Sequence, residues 1–237
     1  MDSLRKPGRL PACHSGSLFV VLVLAELFVP VFAELRRPTP WHPEHITERY
    51  GLFTIILLGE SILASANSIV DALAHTEHIA PLIGIAATGM VLAAGMWWIY
   101  FAREHREHIE LGFGRAILFG YGHYFIFAAA GAFSAGIELA IDLSTGDTKL
   151  EPILAAATLT VPVALFVLGV WALTLRHVLG RTVNSIIAAL AVLLACSALT
   201  PFSPLISALC MIVIVASLEV SRTRAHPPLS SPAELAG

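Results

Sequence analysis

His45-Ile46-Thr47-Glu48-Arg49-Tyr50-Gly51-Leu52-Phe53-Thr54-Ile55-Ile56-Leu57-Leu58-Gly59-Glu60-Ser61 carries a charged pair, Glu48 and Arg49, into an apolar run that continues to Val70. About 20 residues at 1.5 Å each cover the ~30 Å hydrocarbon core of a bilayer, so Gly51–Val70 is long enough to cross one. Glu60 sits near the middle of that run. A charge at that depth costs at least ~2.5 kcal/mol on insertion scales, which makes an intramembrane glutamate a functional candidate by default.

The rest of the chain agrees with a membrane protein. Of 237 residues, 57% are hydrophobic and only 13% charged, against about 25% charged in soluble domains. The mean hydropathy is +0.78. Seven apolar blocks follow one another: about 17–33, 51–70, 79–101, 113–141, 152–175, 182–199 and 202–220. Turn signals separate them at Arg36-Arg37-Pro38-Thr39-Pro40, at Ser144-Thr145-Gly146-Asp147, at Gly180 and at Pro201-Phe202-Ser203-Pro204. The sequence therefore predicts an all-α, polytopic transmembrane helix bundle of about seven spanning helices. A β-barrel needs short alternating segments, and the blocks do not alternate. Residues 1–16 read as an unstructured tail, 17–220 as the helical domain, and the Pro- and Ser-rich 221–237 as a disordered cytoplasmic tail.

Charge counting orients the bundle. Arg36, Arg37, Arg49, Arg103, Arg106, Arg115, Arg176, Arg181, Arg222 and Arg224 fall on one side. Lys149, with Arg5, Lys6 and Arg9 of the N-terminal tail, falls on the other. The positive-inside rule then places the C-terminus in the cytoplasm. The three basic residues of the tail break the rule. Two expectations accommodate them: further helices precede this region, or the first block does not span.

Helix two carries a polar stripe. Glu60, Ala64, Asn67 and Asp71 are spaced i, i+4, i+7 and i+11, with Ser61, Ser65 and Ser68 beside them. Such a face is expected to look into protein or a wet cavity. Helix four carries His123, Gly131, Ser134 and Glu138 near one face, and helix one carries Glu26. Glu26, Glu60 and His123 are candidates to meet as a relay for a proton or a site for a small cation. The alternative is that the polar groups only tie helices together. Three His-x-x-His pairs lie at the helix ends; His42/His45 and His105/His108 share the arginine-rich side and are weak metal candidates. His75/His78 lies on the other side. Three cysteines without CxxC spacing offer no disulfide framework. No nucleophile elbow, phosphate loop or zinc-protease motif occurs, so no catalytic residue, enzyme activity or cofactor is expected. With a net charge of −3, no nucleic-acid partner is expected either; the lipid bilayer is the expected partner.

The segment Glu48-Arg49-Tyr50-Gly51 through Gly59-Glu60-Ser61 resembles the signature of the bacterial low temperature requirement A family of multi-pass membrane proteins. Glu26-Leu27-Phe28-Val29-Pro30 and His42-Pro43-Glu44-His45 also look like that family's arrangement. The resemblance implies a bacterial plasma membrane protein, with Glu48, Arg49, Gly51, Gly59, Glu60 and Ser61 as its signature. Family members usually carry more helices ahead of this region, so the chain looks like a C-terminal portion or a truncated member. The family supplies a class but no substrate. The expected role is passing or sensing a small solute, proton or cation through a polar intramembrane seam; the alternative is a non-transporting structural or cold-adaptation factor.

Overall fold

A computed structural model describes residues 12–36, 42–75, 79–102 and 113–225. The described residues contain no strand. The long helices are α1 (Ala12–Arg36), α2 (Pro43–His75), α3 (Ile79–Phe101), α4 (Phe113–Thr145), α5 (Pro152–Val170), α6 (Arg181–Cys196) and α7 (Ser203–Ala225). Among the described residues, seven helical spans are long and apolar enough to cross a membrane. The predicted all-α transmembrane class is what the chain adopts.

The boundaries differ in instructive ways. α1 begins at Ala12, so the helix takes in part of the stretch expected to be an unstructured tail. α2 starts eight residues before the apolar run, at Pro43. Proline suits a first helical position, where its missing N–H has no partner to lose. The charged residues Glu44 to Arg49 therefore form a helical turn leading into the membrane rather than a loop. α7 likewise runs to Ala225, past the expected boundary at 220.

The chain forms two compact units, Met1–His42 and Pro43–Gly237. In the first, the described residues other than His42 belong to α1, whose spanning segment Gly16–Arg36 buries none of its length. Phe28 and Phe32 lie 6.0 Å apart on it, and the Arg36 guanidinium sits 4.7 Å above the Phe32 ring.

The second unit is a bundle of α2 to α7. Its core is built from Leu92, Met96, Ile126, Phe133, Phe166, Ile187 and Ile214, all nearly inaccessible. α4 and α5 come into backbone contact at Gly136. A Cβ there would overlap the Thr158 carbonyl and the Leu159 Cα, so glycine sets this helix spacing. α4 ends at Gly146, whose φ of 82° suits glycine, with the Asp147 N–H donating to the Asp142 carbonyl at 2.8 Å. α5 continues through a π-turn, Trp171–Leu175. Asn184 braces the following turn: its amide donates to the Arg176 and Leu179 carbonyls and its oxygen accepts from the Trp171 indole at 2.7 Å.

Candidate functional site

The inward face of α2 comes from the signature segment. Gly51, Thr54, Leu58 and Ser61 are all buried, at a spacing that follows one side of a helix. Thr54 and Ser61 meet their own hydrogen-bonding needs by donating back one turn, to the Tyr50 carbonyl at 2.9 Å and the Leu57 carbonyl at 3.0 Å. The Ser61 hydroxyl also lies 3.5 Å from the Ala130 carbonyl of α4. Hydroxyls that back-bond in this way can enter an apolar interior without an unsatisfied group.

His123 of α4 is the centre of the most buried polar cluster. It has no accessible surface, and Tyr100 of α3 is 2% exposed. His123 Nδ1 lies 2.7 Å from the Phe119 carbonyl, and Nε2 lies 3.0 Å from the Tyr100 hydroxyl. A carbonyl only accepts, so Nδ1 carries the proton. Nε2 of the neutral ring then accepts from Tyr100 O–H. Thr54 of α2 lies beside Tyr100, its own hydroxyl proton given to the Tyr50 carbonyl. One residue from each of α2, α3 and α4 thus joins a single network. Aromatic rings close around the imidazole: Phe119 at 4.2 Å, Tyr50 at 4.7 Å, Phe127 at 5.3 Å and Tyr100 at 5.8 Å between centroids.

The network adjoins an open cavity. A space of about 310 Å³ is lined by Arg49, Tyr50, Phe53, Gly120, Tyr124 and Phe127. Tyr50 and Phe127 belong to both the cavity wall and the cage around His123. Among the described residues, Arg49 is the one charged group in the lining. Close by, the Trp98 indole donates to Glu219 Oε1 at 2.9 Å, tying α3 to α7; Arg222 pairs with the same oxygen.

The predicted site residues separate. Glu60 and Asn67 are exposed, while their sequence neighbour Ser61 is completely buried. The Glu60 stripe is expected to face protein or a wet cavity; within this unit Glu60 and Asn67 do not face the protein interior, and α2 turns its Thr54–Ser61 face inward. Glu60 and His123 do not meet. Tyr50 touches His123, and Glu60 lies ten residues farther along α2, about 15 Å up the axis. Glu26 is exposed on α1, in the other compact unit. Glu138 is also exposed, so only His123 of the α4 stripe lies in the interior, with Ser134 half-buried and Gly131 outward. His45 forms an exposed pair with Glu48 at 3.8 Å. His78, His105 and His108 lie outside the described residues, as do the side chains of Asp71 and His75. Among the described residues no group of three metal-ligating side chains gathers.

Tyr50, Thr54 and Tyr100 were not among the expected site residues. Tyr100 reads as one of an interfacial aromatic cluster with Trp97 and Trp98. The available signal was the four-residue step from Tyr50 to Thr54, which continues to the buried Leu58.

The family model described as bacterial low temperature requirement A protein (LtrA) matches residues 9–220, most of the chain. No curated protein and no solved structure matches.

Proposed function

We propose a function from one premise: the chain belongs to the bacterial low temperature requirement A family, and it is a multi-pass membrane protein. On this reading it senses a proton or a small solute at one face of the plasma membrane. The sensing centre is the Thr54–Tyr100–His123 network, entered from the Arg49–Tyr124 cavity. The observation that carries the reading is the fully buried imidazole, which shares two of its caging rings with an open cavity wall. A change of proton or hydrogen-bond state at His123 would act on three helices together, because it touches the Tyr50 ring of α2, the Tyr100 hydroxyl of α3 and the Phe119 carbonyl of its own α4. Sensing is favoured over passage because the buried polar groups farther along α2 turn back on their own helix, as Ser61 does. The arginine-rich end, which holds this centre, faces the cytoplasm together with the C-terminus. The reading is non-enzymatic and assigns no cofactor.

One observation favours the alternative of a membrane structural or cold-adaptation factor: both ring nitrogens of His123 already have partners inside the bundle. Nitrogen-15 spectra of histidine-labelled protein in liposomes separate the two. Under sensing, the His123 resonances start as a neutral ring protonated at Nδ1 and change on acidification or on addition of a solute that fills the cavity. Resonances that stay fixed under both treatments would leave only the structural role.

A further inference from the structure

At the opposite end of the bundle lies a larger cavity of about 460 Å³. It is some 30 Å from the histidine centre, since Ser144 on its wall is 21 residues past His123 along α4. Ile85, Leu143, Ile153, Leu159 and Leu199 supply its apolar wall, and among the described residues no charged one lines it. Three hydroxyls reach it: Ser144, Thr200 and Ser203. Two are already spent. Ser144 donates to the Ile141 carbonyl at 2.7 Å and Thr200 to the Ser197 carbonyl at 2.9 Å. The Ser203 hydroxyl is 3% exposed and has no hydrogen-bond partner. Leaving a buried hydroxyl unpaired costs about 1–3 kcal/mol.

We propose that this cavity binds one acyl chain of a membrane glycerolipid, with the ester carbonyl accepting a hydrogen bond from Ser203. The volume falls in the ~300–1,000 Å³ range of small-molecule sites. The apolar, uncharged wall matches a hydrocarbon chain, and the single free donor matches its one polar link. The surroundings supply the route: Ile153, Leu154, Phe202 and Leu205 are exposed apolar residues around the cavity, so a chain enters from the adjacent leaflet without crossing water.

The test is photolabelling of the full chain in phosphatidylcholine liposomes that contain a phosphatidylcholine with a diazirine on its acyl chain, followed by peptide mapping. Label should concentrate on 152–159 and 198–204, above the level on Phe125 and Leu165, which are exposed elsewhere on the bundle. Ala156→Phe, which fills the cavity, should remove most of that excess. Ser203→Ala should weaken the labelling about fivefold, the worth of one neutral hydrogen bond. Thr160→Val, which removes a second unpartnered buried hydroxyl among the described residues but does not touch the cavity, should leave it unchanged. Even labelling of all exposed apolar positions, insensitive to Ala156→Phe, would overturn the site. Should Ala156→Phe fail to fold, unchanged labelling in a folded Ser203→Ala protein does the same. Labelling of these peptides by a diazirine long-chain alcohol but not by the lipid would overturn the assignment to a glycerolipid.

Discussion

Replacing Tyr100 with phenylalanine removes one oxygen from the centre of the proposed site and little else. The ring remains to fill its buried position between His123 and Phe166. Thr54 keeps its bond to the Tyr50 carbonyl at 2.9 Å and is not orphaned. His123 Nε2 loses its donor at 3.0 Å, and the ring has no accessible surface through which water could replace it. The expected loss is about 1 kcal/mol: a typical hydrogen bond contributes a net ~0.5–1.5 kcal/mol, and side-chain hydrogen bonds measured in a membrane protein average ~0.6 and reach ~1.7 kcal/mol. Equilibrium unfolding in mixed detergent micelles reads this directly. A cycle with His123→Phe isolates the pair, because residues in one network couple by about 0.5 kcal/mol or more. A Tyr100→Phe change below about 0.3 kcal/mol, additive with His123→Phe within the ~0.3–0.5 kcal/mol scatter of independent sites, would refute the hydrogen bond as drawn.

Other positions give sharper contrasts. Gly136→Ala should destabilise the bundle by about 1–3 kcal/mol, as overpacking does, because the new methyl meets α5 backbone; Gly131→Ala, with open space around it, should be neutral in the same unfolding assay. His45→Ala removes an exposed ion pair with Glu48 and should leave the unfolding midpoint unchanged. Zinc titration of the His42/His45/His105/His108 quadruple alanine variant should match wild type; a tight site lost in the variant would support the metal reading. A C-terminal fluorescent-protein or alkaline-phosphatase fusion should fluoresce and lack phosphatase activity, placing Ala225 on the cytoplasmic side; the reverse would invert the bundle.

The helices were legible because length and apolar composition suffice to mark a spanning segment, and each predicted block corresponds to a helix. The facing of α2 was not. In a soluble helix the apolar side marks the core, but lipid is as apolar as a protein interior, so the pattern carries no sign. Reasoning from the cost of Glu60 puts the polar stripe inward. The bundle instead buries Thr54 and Ser61, whose hydroxyls are satisfied by their own helix, and leaves Glu60 and Asn67 on the outer side of α2. His123 was legible as an isolated imidazole in a membrane block. Its partners were not, because the contacts with Tyr50 and Tyr100 join residues distant in sequence. The unpaired Ser203 was also invisible, since only packing shows which hydroxyls lack a carbonyl within reach.

The central claim is that the working centre is His123 with its tyrosine and threonine partners, and not the outward Glu60. Trp98 stands two residues from Tyr100 and is tied to Glu219, so indole fluorescence reports on this end of the bundle. The deciding measurement is the fluorescence response of reconstituted protein to an acid pulse, compared in Glu219→Gln, Glu219→Gln/His123→Phe and Glu219→Gln/Glu60→Gln, so that Glu219 itself does not titrate. The account predicts a response that His123→Phe abolishes and Glu60→Gln preserves. A response lost with Glu60→Gln and retained with His123→Phe would contradict it.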